Sequence, residues 1–198
     1  MTTILSNRVQ KVKPSATMAV SDKAKELKSQ GVQIISMGSG EPDFDTPVNI
    51  QKAAIHAIGA GETRYTAADG TPELKKAIRE KFKRENGLDY TANEVMVSCG
   101  GKQVFYNLCQ AILNEGDEVI IPTPYWVSYP DMAILADATP VFIEAGLDQD
   151  FKITPQQLEA SITSKSKLLV LNSPSNPTGS VYSKSEIEAL GEVLKKHP

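Results

Sequence analysis

Short apolar runs and longer amphipathic stretches take turns along the second half of the chain. Val95–Ser98, Glu118–Ile121, Pro140–Ile143 and Leu168–Leu171 have the length and continuity of strands. Between and after them, Gly100–Leu113, Tyr125–Ala136, Pro155–Ile162 and Ser183–Lys196 carry apolar residues at helical spacing, the second of these interrupted by Pro130. Ser183 and Glu186 have the spacing of a capping box at the last helix. Strand-helix alternation of this kind predicts an α/β fold, with a mainly parallel sheet covered by helices on both faces. The run Leu168–Leu171 follows a charged turn and reads as a strand buried on both faces.

The first half is less regular. Residues 1–16 read as irregular, after which Ser15 or Thr17 caps a helix that runs to about Gln30 and is closed by Gly31. Gln33–Met37 is a short apolar strand, followed by the turn-rich loop Gly38–Pro47, whose glycines let backbone amides approach a ligand. Residues 48–60 form a helix with Ile50, Ala53, Ala54, Ala57 and Ile58 on one face. The loop Gly61–Gly70 exposes Tyr65. Thr71–Asn86 is an amphipathic helix with Pro72 and Glu73 suited to its first turn, ended by Gly87. There is no internal repeat. The last helix stops where an alternating fold places another strand, so the pattern is expected to continue past Pro198.

The ends of three predicted strands carry the chemistry. Gly100, Gly101 and Lys102 open a helix, where exposed N–H groups and the helix dipole suit an anion such as phosphate. Trp126 is the only tryptophan and offers a flat stacking surface. Asn176, in the proline-set loop after Leu171, offers an amide donor and acceptor. Each has a plain structural reading as a tight turn, a packed aromatic or a turn residue. Together they suit a phosphorylated heteroaromatic ring, and both a nucleotide and pyridoxal 5′-phosphate qualify. Neither G-x-G-x-x-G nor G-x-x-x-x-G-K-[ST] follows these strands, which weighs against the nucleotide.

Composition narrows the classes further. The 198 residues include 21 Lys plus Arg against 24 Asp plus Glu, a net charge of -3, which argues against nucleic acid or an anionic membrane as partner. Cys99 and Cys109 read as free buried thiols of a reducing compartment. With His56 and His197 as the only histidines, neither a Ser-His-Asp arrangement nor a metal site is expected. No apolar run reaches membrane-spanning length, and the expected location is cytoplasmic.

Five stretches in order carry a family resemblance: GSGEPDFDTP (38–47), ETRYTAADGTPELKKAI (62–78), SCGGKQVFYN (98–107), IPTPYWVSYPDM (121–132) and NSPSNPTGSVYS (172–183). The chain resembles the N-terminal half of a class I, fold type I aminotransferase dependent on pyridoxal phosphate. Within that family it is most similar to bacterial aspartate aminotransferases that also accept prephenate. The resemblance implies a three-layer sandwich, truncated here, in which residues 1–46 are the N-terminal arm and part of the small domain. Residues 47–198 would be the first portion of the cofactor-binding large domain. It implies that Gly100, Gly101 and Lys102 hold the cofactor phosphate, that Trp126 stacks on the ring, and that Asn176 bonds the ring's phenolic oxygen. Tyr65 matches the tyrosine that reaches the phosphate of a neighbouring subunit in a homodimer. Gly40 matches a backbone contact to the substrate α-carboxylate, and Lys102 and Lys13 match positions tied to the distal carboxylate of an acidic or prephenate-like substrate.

The family transfers an amino group to 2-oxoglutarate in two ping-pong half-reactions, using a lysine that lies beyond position 198. No catalytic residue is therefore assigned in this chain, and a polypeptide of these residues alone is expected to be inactive. Lys165 and Lys167 precede the last strand, at its amino end, and read as a solvated turn. The competing readings are an aromatic or alanine aminotransferase of the same fold, a non-catalytic ligand-sensing domain, and a nucleotide-binding module. A sensor with a DNA-binding segment ahead of the domain is disfavoured because the pattern begins within ten residues of Met1.

Overall fold

The computed structural model describes residues 4–38 and 40–197, the side chain of Ala16 excepted. Residues 1–3, Ser39 of the loop 38–47, and Pro198 lie outside the described residues. The chain divides into two compact units, one of residues 1–16 with 105–198 and the other of residues 17–104.

The first unit is built on a sheet of three parallel strands among the described residues. These are β1 (Glu118–Thr123), β2 (Thr139–Glu144) and β3 (Ser166–Leu169), in the order β2-β1-β3. β1 lies in register with β2 from Glu118↔Thr139 to Thr123↔Glu144, and pairs with β3 through Val119↔Leu168 and Ile120↔Leu169. Period-two alternation sends successive β1 side chains to opposite faces. Val119 and Ile121 enter a cluster with Cys109, Leu113, Met132 and Ala133, whereas Ile120 joins Ile143, Leu158, Leu190 and Val193. Helices α5 (Gly101–Ile112) and α6 (Ser128–Leu135) thus supply one covering layer, and α7 (Pro155–Ser161) and α8 (Lys184–Leu194) the other. This is the three-layer α/β arrangement expected from the sequence.

Local signals account for several helix ends. Ser183 caps α8, accepting the Glu186 N–H while the Glu186 carboxylate accepts the Ser183 N–H. Pro130 does not interrupt α6. It sits in the first turn, where a missing N–H has no intrahelical acceptor to lose. The helix accordingly starts at Ser128 rather than Tyr125. Residues 1–16, read as irregular, contain the short helix α1 (Asn7–Lys11), capped by the Ser6 hydroxyl and held to the end of α6 by Arg8 Nη1 to Asp137 Oδ2 at 3.3 Å.

The second unit holds α2 (Ala16–Ser29, entering from the boundary), α3 (Val48–Gly59) and α4 (Pro72–Asn86). Thr71 caps α4, and Gly87 closes it in the left-handed region at φ 68°. The expected strands Gln33–Met37 and Val95–Ser98 are not formed among the described residues. Val95 has extended dihedrals, and the Val97 N–H bonds to the Asp69 carbonyl at 3.0 Å, but no ladder partner flanks either segment. A strand needs that second chain. β3 also departs from expectation: it is half-buried, lying on the edge of the described sheet, and Val170 just beyond it is the buried residue. Cys109 is buried as expected, but Cys99 is exposed.

Candidate functional site

The chain leaves β1 for α6 on one face of the sheet and leaves its neighbour β3 for α8 on the other, so the carboxyl ends of β1 and β3 open a crevice between diverging loops. The β1 end runs through Pro122, Thr123 and Pro124 to Tyr125 and Trp126. The β3 end runs through Val170, whose N–H bonds to the Ile120 carbonyl at 2.9 Å, to Asn172, Ser175 and Asn176. Both loops line one recess, shared by Pro124, Tyr125, Tyr129, Asn172, Asn176 and Tyr182. Its volume is about 20 Å³, room for roughly one water. A six-membered ring does not fit inside. It could only rest across the rim.

Trp126 stands beside that rim, half-buried, its indole edge-on to Tyr129 with ring centres 5.2 Å apart. Tyr125 stacks on Phe142 of β2 at 5.1 Å. Asn176 is exposed at the other side, and its N–H is held by Asn172 Oδ1 at 2.9 Å. The structure therefore brings Trp126 and Asn176 to neighbouring strand ends. Burial pushes the Tyr129 and Tyr182 phenols above their ordinary range, so both stay neutral near pH 7. Lys13, in the same unit, is an exposed residue of the segment after α1. Lys165 and Lys167 flank the start of β3, at the amino end of the strand and away from the crevice at its carboxyl end, and both are exposed.

The remaining residues belong to the second unit or its boundary. Gly100 takes φ 84°, a conformation that favours glycine, and Gly101 and Lys102 begin α5. A Cβ built on Gly100 or Gly101 meets no atom within 4 Å, so the helix start faces open space. The Gln103 amide oxygen accepts the Cys99 N–H at 2.5 Å, tightening this turn. Tyr65 and Gly40 are both exposed. Asn172, Tyr129 and Tyr182 also line the recess, though none is among the residues expected to contact a ligand. Asn172 alone left a signal, as the first polar residue after an apolar strand and four before Asn176.

A model of the aminotransferases of classes I and II matches residues 32–198. The chain belongs to this family. It is 60% identical over 98% of its length to an aspartate/prephenate aminotransferase of Cereibacter sphaeroides, of which it covers 48%. It is 58% identical over 98% to that of Nitrosomonas europaea, covering 49%. Among solved structures, the aspartate aminotransferase of Rhizobium meliloti superposes with a TM-score of 0.96 at 47% identity, over 100% of this chain and 49% of that one. The Thermus thermophilus aspartate aminotransferase solved with maleate gives 0.94 at 49%, over 99% and 51%. The chain thus spans about half the length of the relatives it matches. Among the described residues, no helix is long and apolar enough to cross a membrane.

Proposed function

We propose that this chain forms the cofactor-cradling part of a cytoplasmic, homodimeric, pyridoxal-phosphate-dependent aminotransferase. The enzyme would move an amino group between L-aspartate, or another acidic amino acid or prephenate/arogenate, and 2-oxoglutarate. The observation that carries the reading is the 60% identity, over nearly the whole chain, with an aspartate/prephenate aminotransferase. The maleate in the Thermus structure is a dicarboxylate, which favours an acidic substrate.

The donor set suits the cofactor. Backbone amides at the start of α5, opening on free space at Gly100 and Gly101, match a phosphate in charge and reach. The half-buried indole of Trp126 suits the face of the ring, and the exposed Asn176 amide suits its phenolic oxygen. Tyr65, from a neighbouring subunit, would add a hydroxyl to the phosphate. The Gly40 backbone would bind the substrate α-carboxylate, with Lys102 and Lys13 directed to its distal carboxylate. Once bound, the cofactor supplies an electron sink, and the protein supplies orientation and charge.

The lysine that moves the α-proton is assigned to the part of the relatives' length that this chain does not span. The test separates cradle from chemistry. Pyridoxal phosphate added to the 198-residue chain is expected to quench the fluorescence of Trp126, its only tryptophan, while aspartate and 2-oxoglutarate stay unreacted. Unquenched fluorescence at saturating cofactor refutes the cradle, and turnover refutes the assignment of the proton-moving group.

A further inference from the structure

The loop after β3 is closed on itself and pinned at both ends. At its start, Asn172 is half-buried and its Oδ1 accepts the Asn176 N–H at 2.9 Å. In the middle, the Gly179 N–H reaches the Ser175 carbonyl at 2.8 Å, and the Ser175 N–H reaches the Ser180 carbonyl at 2.9 Å. At its far end the Tyr182 N–H donates to Ser173 Oγ at 3.0 Å, and the buried Tyr182 phenol oxygen accepts the Ile153 N–H at 2.8 Å. Ser175 and Tyr182 also line the recess, but the first of these bonds is the one that grips the backbone of Asn176, the residue read as reaching the ring oxygen. The others hold the loop's outline.

We infer that Asn172 is a positioning residue for Asn176, fixing the backbone from which the Asn176 amide reaches the oxygen of a flat ring. This rests on the reading that Asn176 bonds the phenolic oxygen of pyridoxal phosphate. An exposed asparagine has two free side-chain torsions, and ordering them costs free energy that binding must offset. Holding the backbone N–H leaves only those torsions to settle. Without the Oδ1 acceptor the Asn176 N–H turns to water, which costs the fold little because the site is on the surface. The loss then falls on aim rather than on stability.

The experiment compares binding of pyridoxal phosphate with binding of its 3-deoxy analogue, which lacks the ring oxygen, by calorimetric titration of the cofactor-free protein. One hydrogen bond of ordinary net strength makes the parent prefer pyridoxal phosphate by about five- to tenfold. Asn176→Ala, which removes the contact itself, should bring that ratio to about one. Asn172→Ala and the bulkier Asn172→Leu should lower it to about two or less, with the affinity for the deoxy analogue unchanged. Leu158→Ala, a core change away from the recess, should lower the melting temperature and leave the ratio at the parent's value. If Asn176→Ala collapses the ratio while both Asn172 variants keep it, the positioning role is overturned and the ring contact stands. If Leu158→Ala lowers the ratio as far as Asn172→Ala, the effect is general loosening, which also overturns the role. If the parent shows no preference, or Asn176→Ala retains it, the ring contact itself fails and the inference fails with it.

Discussion

Replacing Tyr182 by Phe deletes one atom from the second packing layer and tests how that layer is held. The ring is 7% exposed and packs in the cluster with Leu158, Leu190 and Val193. Phe keeps that contact and opens no cavity. It also keeps the backbone bond from residue 182 to Ser173 Oγ, which does not use the phenol. What disappears is the acceptor for the Ile153 N–H, a bond of 2.8 Å at a residue only 4% exposed. An N–H orphaned in such a place loses water and partner alike, at a cost of about 1–3 kcal/mol. With about 2 kcal/mol as the middle of that range, a chain of this size should melt about 4–8 °C lower. Burial holds the phenol neutral up to and beyond its ordinary range, so the loss should be the same at pH 6 and pH 8. Urea unfolding of parent and variant, read at constant m, measures it. A loss below about 0.5 kcal/mol would mean that Ile153 finds another partner, and would refute the account of the bond.

Four further outcomes follow from individual side chains. Leu158, fully buried under β1 and β2, should cost about 2–5 kcal/mol when cut to Ala, seen as a lower urea midpoint. Gly101→Ala meets no atom and should leave the melting temperature unchanged or slightly raised, yet weaken pyridoxal phosphate binding several-fold by occupying the space before the α5 amides; unchanged affinity by calorimetry would argue against a phosphate there. Glu186 is held at a pKa of about 2, chiefly by Lys152 at 2.7 Å and by the Ser183 N–H. Because the folded state binds this proton less readily than the unfolded chain, the stabilisation is complete above about pH 4.5 and drains away as pH falls toward 2. Glu186→Gln, which can still close the capping box, should lose stability at pH 6, with the gap to the parent narrowing below about pH 4.5 and closing only below about pH 2 in urea titrations. Cys109 is fully buried, with its thiol pushed up to about 11, whereas Cys99 is exposed. Ellman's reagent at pH 8 should therefore react with one thiol in the native protein and two after denaturation.

What could be read from the sequence tracks how far along the chain each determinant lies. The start and stop of α4 rest on Thr71, Pro72 and Gly87, all within a turn of the ends they set, and α8 rests on Ser183 and Glu186. Such signals are complete before any tertiary contact exists. The strands Gln33–Met37 and Val95–Ser98 were misread for the opposite reason. Apolar sequence makes a segment extended, but only a neighbour at the right register makes it a strand. α1 escaped notice because five residues are too few to show a period, and its hold on Asp137 spans 129 residues. The candidate site divides the same way. That Trp126 and Asn176 follow strands was legible; that β1 and β3 are neighbours was not, since strand order is settled by how helices pack on the two faces. Tyr182, nine residues from the serine it bonds and 29 from Ile153, became visible only once the loop was closed.

The small size of the crevice has a consequence for how such a site is built. A recess of about 20 Å³ cannot select a ring by enclosing it. If pyridoxal phosphate binds here as proposed, selection at the rim must come from the direction of a few groups, each set by its own backbone. The indole of Trp126 is set by its edge contact with Tyr129, and the amide of Asn176 by the bond to Asn172. Affinity at a site of this type should respond weakly to changes in cavity volume and strongly to changes in loop closure. Filling or enlarging the recess at Ser175 should therefore matter less than removing the single acceptor at Asn172.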